Sequence, residues 1–207
     1  MKKSRAKRSD AVRRAREVFQ RRGGVLRTCE AIRAGIHPRT LYGMRDEGQI
    51  EPLAKGLYRL ADAPVPRNPD LLTVARKAPE AVVCLLSALA FHDLTTQVPH
   101  AVYVALPTGS RAPRLEHPPL EVFEFGGEAF SAGIQTHDLD GVPVRVYSPE
   151  KTLADCFKYR NRIGLEVAVE ALRLYVERRA VRAEDIMRFA RICRVARVMR
   201  PYLEATL

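Results

Sequence analysis

Apolar positions in the first sixty residues recur at helical spacing and then give way to short runs. Val12, Ala15, Val18 and Phe19 make one stripe at the 3.6-residue period. A first helix is therefore expected from Asp10, an acidic residue suited to an N-cap, to the Gly23-Gly24 stop. Thr28 can cap a short second helix over Cys29–Ala34, with Ala31 and Ile32 inward and Gly35 ending it. A third helix is expected between His37 and Gly48, because Pro38 suits the first helical position, where no backbone N–H is needed. Two short helices joined by a tight glycine-containing turn make the helix-turn-helix pattern. At about 100° per residue, Leu41 and Met44 point to the core, and Arg39, Tyr42, Gly43 and Asp46 lie opposite.

Two further runs, Ile50–Leu53 and Leu57–Leu60, flank Ala54-Lys55-Gly56 and predict a hairpin, with Pro52 confined to an edge strand. A hairpin directly after such a helix is a wing. Pro64, Pro66 and Pro69 then predict a stiff linker over 63–69. Beyond it, Asp70–Lys77 reads as a helix. Ala81–Leu94 reads as a buried helix with a short strand at its start. Ala101–Leu106, Leu120–Phe125, Ile134–Leu139 and Val142–Tyr147 read as strands, the last two joined by an Asp140-Gly141 hairpin turn. A mainly antiparallel sheet is expected. Ser148-Pro149-Glu150 starts a helix, and helices follow over Leu165–Arg178 and Glu184–Met199. Helices bracketing a block of strands make the class α+β: an N-terminal winged helix-turn-helix (10–62), then a mixed α+β domain (70–207).

Charge changes the picture more than composition does. The net charge is +11, and residues 1–60 hold 16 Lys+Arg against 6 Asp+Glu, so nearly all the excess sits in the first domain. A basic first domain on a nearly neutral second one points to a polyanion for the first, double-stranded DNA in view of the motif. Met1–Ser9 carries Lys2, Lys3, Arg5, Lys7 and Arg8 with no apolar anchor, and is expected to be a disordered arm able to lie along phosphates or enter a minor groove. Arg39, Thr40 and Tyr42 are candidates for base readout, Gly43 for close backbone approach, and Arg45, Lys55 and Arg59 for phosphate. Asp46 is expected to orient Arg39 or Tyr42. No apolar run approaches the roughly 20 residues that span a bilayer, and no secretory signal is visible, so a cytoplasmic protein without membrane contact is expected.

Other chemistry is weaker. Cys29, Cys84, Cys156 and Cys193 include no CxxC pair, so neither zinc nor redox chemistry is supported, and no metal or cofactor is expected. Ser87, His92 and Asp93 are triad residue types, but Ser87 and His92 stand five apart on a helix and no GxSxG elbow exists. Gly126-Gly127 followed by Asp138 and Asp140 superficially resembles a nucleotidyltransferase pattern, in which a glycine turn holds triphosphate and strand carboxylates hold magnesium. Arg188, Arg191, Arg194, Arg197 and Arg200 recur every third residue, which suits solvation or a second basic patch for DNA flanks or an acidic partner.

Three stretches, RTLYGMRDEGQIEPLAKGLYRL (39–60), CLLSALAFHDLTTQVP (84–99) and SPEKTLADCFKYRNRIGLEVAVEALR (148–173), together resemble the AbiEi, or abortive-infection, class of type IV antitoxins. The resemblance implies a non-enzymatic prokaryotic regulator encoded beside a nucleotidyltransferase-like toxin. Its winged helix would repress the shared operon at inverted repeats, and its C-terminal domain would carry antitoxin activity without a necessary stable toxin complex. Gly43 and His37 depart from the family pattern, where a basic residue and a serine-like cap are commoner. Two other readings stay open: a protein-binding regulator acting through its C-terminal domain, and a DNA-tethered nucleotidyltransferase using Asp138 and Asp140.

Overall fold

Helix α1 (Lys2–Arg21) is the longest element of the N-terminal unit, in a computed structural model that describes residues 2–63, 68–178 and 182–207, with side chains from Ser9 onward. It starts at Lys2 rather than at Asp10. The stretch before Asp10 lacks Pro and Gly and consists largely of Lys, Arg and Ala, which extend a helix once a packed segment has nucleated it. Asp10 is thus an interior residue, paired at 3.3 Å with Arg13 one turn on, and not a cap. The separate arm expected over 1–9 is replaced from Lys2 onward by helix backbone. The expected stripe is inward: Ala15 and Phe19 are buried, with Val12 and Val18 packed beside them.

Strand β1 (Val25–Arg27) follows the glycine stop, then α2 (Thr28–Arg33), α3 (Pro38–Asp46), β2 (Ile50–Ala54) and β3 (Leu57–Leu60). The strands form an antiparallel sheet in the order β1-β3-β2, which leaves Pro52 on an edge strand as expected. Thr28 does not cap α2. Its backbone N–H donates to the Gly56 carbonyl at 2.9 Å, tying the helix start to the wing turn. The Glu30 carboxylate instead accepts from the Arg27 N–H at 2.9 Å, as the third residue of a capping box does. Ile32 is exposed, not inward, because the short helix turns only Ala31 to the core.

The second unit starts with α4 (Pro69–Lys77), β4 (Val82–Val83), α5 (Leu85–Phe91), β5 (Val102–Pro107), β6 (Leu120–Phe125) and α6 (Glu128–Ser131). It continues with β7 (Ile134–Leu139), β8 (Val142–Tyr147), α7 (Pro149–Lys158), α8 (Arg160–Ile163), α9 (Leu165–Arg178), α10 (Ala183–Ile192) and α11 (Ala196–Glu204). The linker prolines Pro64 and Pro66 lie outside the described residues. The five-stranded sheet has the order β6-β5-β4-β8-β7. It is mixed rather than mainly antiparallel: β5–β6 and β4–β8 run parallel, and β4–β5 and β7–β8 antiparallel. The cause lies in the connections. The segment between β5 and β6 is long enough to carry the chain back to the starting edge, whereas Asp140-Gly141 makes the tight hairpin that was expected. The helix expected over 184–199 is two helices, broken at Arg194, whose φ is +61°.

Alternation along the strands sends two apolar sets to opposite faces of the sheet. Val83, Val102, Val104, Val142, Val144 and Val146 pack under α4. Val82, Tyr103, Phe123, Phe125 and Tyr147 pack under the layer of α7, α9, α10 and α11. No helix among the described residues is long and apolar enough to cross a membrane.

Candidate nucleic-acid interface

Helix α3 is built from both ends by local chemistry. His37 is its N-cap, with Nδ1 accepting from the Arg39 N–H at 3.2 Å, and Pro38 fills the first turn. At the other end Gly48 takes φ +68°, and the Gln49 N–H reaches the Met44 carbonyl at 2.8 Å, closing the helix by the glycine motif. Leu41 and Met44 are fully buried and fix its rotation. The opposite face is therefore presented outward: Arg39, Tyr42, Arg45 and Asp46 are exposed, with Thr40 and Gly43 half-buried among them.

These outward groups are not equivalent. No hydrogen bond or ion pair among the described residues engages the Arg39 guanidinium. Asp46 orients neither Arg39 nor Tyr42. It accepts from Arg45 Nε and Nη2 at 2.9 and 2.7 Å, while the Arg45 guanidinium lies 5.2 Å over the Tyr42 ring. The hydrogen bond that Arg45 donates to Asp46, joined by one to the Tyr58 hydroxyl, raises the Arg45 pKa above its ordinary value. Arg45 thus lies against Tyr42 while its side chain stays exposed to solvent.

The wing separates its two basic residues. Lys55 is exposed at the tip. Arg59 stands opposite Glu51 in the ladder and pairs with it at 2.8 Å, and it also donates to the Ala63 carbonyl at 3.1 Å. Its side chain is 12% exposed, so it ties the wing together instead of standing toward solvent. The side chains of Lys2, Lys3 and Arg5 lie outside the described residues.

One set of contacts was missed from the sequence. Arg76 on α4 donates to the Arg22 carbonyl at 2.9 Å and pairs with Glu30 at 3.5 Å, so the carboxylate that caps α2 also docks the second unit. Desolvation by this packing lowers the Arg76 pKa. Lys77 donates to the Lys55 carbonyl at the wing tip. These partners stand far apart in sequence, and no local spacing announces them. The buried pair Lys151–Asp155 was also missed, at 2.5 Å on α7 with Lys151 4.1 Å from the Tyr147 ring centroid. Its signal was available: an i,i+4 Lys/Asp pair within a run whose other residues face inward.

The remaining candidates are engaged structurally. Ser87 Oγ accepts from the Tyr103 N–H at 2.9 Å, and His92 Nε2 lies 2.7 Å from the Tyr147 carbonyl. Asp138 accepts from the Gly141 N–H at 2.8 Å, and Asp140 sits in the same turn at φ +51°. Gly126-Gly127 follows β6 and Asp138 lies on β7, the two opposite edges of the sheet. Four strand spacings separate those edges, on the order of 19 Å. The glycine turn and the carboxylates do not form one site.

A basic three-helix unit with an outward third helix and a hairpin wing in a three-stranded sheet has the form of the winged helix-turn-helix class. The comparison with known families agrees: residues 13–61 match the model described as "Transcriptional regulator, AbiEi antitoxin". No curated protein matches the chain. Among solved structures, the chain is similar to the crystal structure of the RV2827C protein from Mycobacterium tuberculosis, with a TM-score of 0.60 at 15% identity. That match covers 94% of this chain and 81% of the other, and at such identity it speaks for the fold alone.

Proposed function

We propose that this protein is a sequence-specific DNA-binding repressor of its own operon and an antitoxin that counters a nucleotidyltransferase-like toxin, with no catalytic activity of its own. The observation that carries the DNA half is the outward face of α3, with the uncommitted Arg39 beside Tyr42 and Gly43. An α-helix fits the major groove of B-form DNA, and a guanidinium there donates bidentately to guanine O6 and N7. Thr40 and Tyr42 add readout at neighbouring bases. Arg45, Lys55 and the basic residues Lys2, Lys3 and Arg5 anchor phosphates, which sets affinity and its salt dependence. Arg59 serves by stiffening the wing that carries Lys55. An operator of inverted repeats is read by two copies of the chain.

The antitoxin half rests on the description of the family matched at 13–61, and beyond that segment only on the motif resemblance read from the sequence at 84–99 and 148–173. The test of the readout role is Arg39→Ala, with binding measured on operator and on random duplexes. The expected loss is about 1–3 kcal/mol on the operator with relaxed specificity. An equal loss on random DNA would show that Arg39 meets only phosphate.

A further inference from the structure

The arginines of the last two helices take no part in the interface above. Arg191 on α10, Arg194 in the turn and Arg197 on α11 surround a shallow depression of about 290 Å³, also lined by Ala196 and Val198. All three arginines are exposed, and no hydrogen bond or ion pair among the described residues engages their guanidiniums. Residues 182–207 hold six arginines, no lysine and three carboxylates. Arg194 also sits at φ +61°, where glycine is unstrained and an L side chain costs roughly 1–2 kcal/mol. A bulky cationic side chain is therefore kept at a backbone position that favours none.

The layering of the fold separates this patch from α3. Contacts of the winged helix with the second unit run through Arg76 and Lys77 on α4 and through the β7–β8 turn. Helices α10 and α11 pack instead with the core on the other face of the sheet. A duplex seated on α3 thus engages the unit that packs beside α4, not the layer that holds α10 and α11. Planar guanidiniums bind carboxylates in paired hydrogen bonds, and arginine around an apolar floor is a common composition for a protein-binding hot spot.

We propose that Arg191, Arg194 and Arg197 form a docking surface for an acidic protein segment, with a carboxylate-bearing side chain seated over Ala196 and Val198. The toxin is one candidate source of such a segment, but the proposal stands on the patch and not on the antitoxin reading.

The test is an NMR titration of the full chain with poly-L-glutamate, and separately with a random DNA duplex, following the Ala196 and Val198 signals. The poly-L-glutamate is expected to shift both signals to saturation. The Arg191→Ala/Arg194→Ala/Arg197→Ala variant should lose those shifts while binding duplex DNA within about twofold of the parent, since all three side chains are exposed and away from α3. The surface would be overturned as a protein site if poly-L-glutamate shifted only residues of α3 and the wing. It would equally be overturned if the duplex shifted Ala196 and Val198, or if the triple variant lost DNA binding, either of which would make the patch a nucleic-acid surface.

Discussion

Gly23, at the end of α1, lies against Gly141, in the β7–β8 turn, so closely that neither position has room for a side chain. A Cβ on Gly141 would stand 2.9 Å from the Gly23 Cα, and a Cβ on Gly23 would stand 1.9 Å from the Asp140 carbonyl oxygen. Both residues have φ of +74°, so conformation and space demand glycine together. With Arg76 on Glu30 and Lys77 on the wing tip, this contact makes the winged helix and the sheet one packed body.

Gly23→Ala is expected to destabilise the chain far more than Gly35→Ala. Gly35 also has positive φ, at +87°, but a Cβ there meets nothing within 4 Å. Gly35→Ala should therefore lose only the conformational term, about 1–2 kcal/mol. Gly23→Ala should lose that plus an overpacking term of about 1–3 kcal/mol. Equal losses by denaturant unfolding would mean that the contact does not form in solution.

Breaking the Lys151–Asp155 pair is expected to cost more than replacing it. Both groups are buried, so Asp155→Ala strands a buried ammonium, at about 3–5 kcal/mol. The double variant Lys151→Met/Asp155→Leu should recover most of that loss. Burial is also the largest influence on the Asp155 carboxyl and raises its pKa. A raised folded-state value means that the folded chain holds the proton more tightly than the unfolded one. This group's contribution to stability is then full below the ordinary aspartate value and falls as pH rises through the folded value. Asp155→Asn should flatten that part of the stability–pH profile, and an unaltered profile would remove Asp155 from it.

Thiol reactivity should separate one cysteine from three. Burial pushes the Cys84 and Cys156 thiols well up and takes Cys193 to about 12, so all three stay protonated at mildly alkaline pH. Cys29 is exposed. Iodoacetamide should modify the native chain once, at Cys29, and fully only after denaturation. Rapid modification of a second site in the native state would contradict the packing around α7.

Gly43→Ala should act with opposite signs on stability and on DNA. An alanine inside α3 stabilises the helix by about 1 kcal/mol relative to glycine. The same methyl, on the face with Arg39 and Tyr42, should weaken operator binding if the backbone there approaches the bases closely. Unchanged operator affinity with raised stability would leave Gly43 no part in recognition.

Much of this fold was legible because its signals are local. Pro38, Gly48, Pro149 and Asp140-Gly141 each mark an element boundary, and the stripe from Val12 to Phe19 marks a buried face. Strand β1 was missed because its three residues are too few to show a period, and pairing with β3 defines it. The parallel pairing of β5 with β6 is a property of chain routing that no window of sequence displays. In the candidate interface, the outward set on α3 followed from rotation alone. The diversion of Asp46 to Arg45 and of Arg59 to Glu51 did not, because each cation had more than one carboxylate in reach. The second pair was hidden for a further reason: a two-residue turn alone would set Pro52 opposite Arg59, and the bulge between Pro52 and Ala54 shifts the register to bring Glu51 there.

The most direct test of the central claim is binding of the purified chain to its own upstream DNA and to a scrambled duplex across a salt series. The account predicts tight binding to the upstream sequence, weaker binding to the scrambled one, and a steep fall with salt for both. Lys55→Ala should make the salt slope shallower by about one unit on either duplex. Weak and equal binding to both duplexes would contradict the account, leaving a basic domain without an operator.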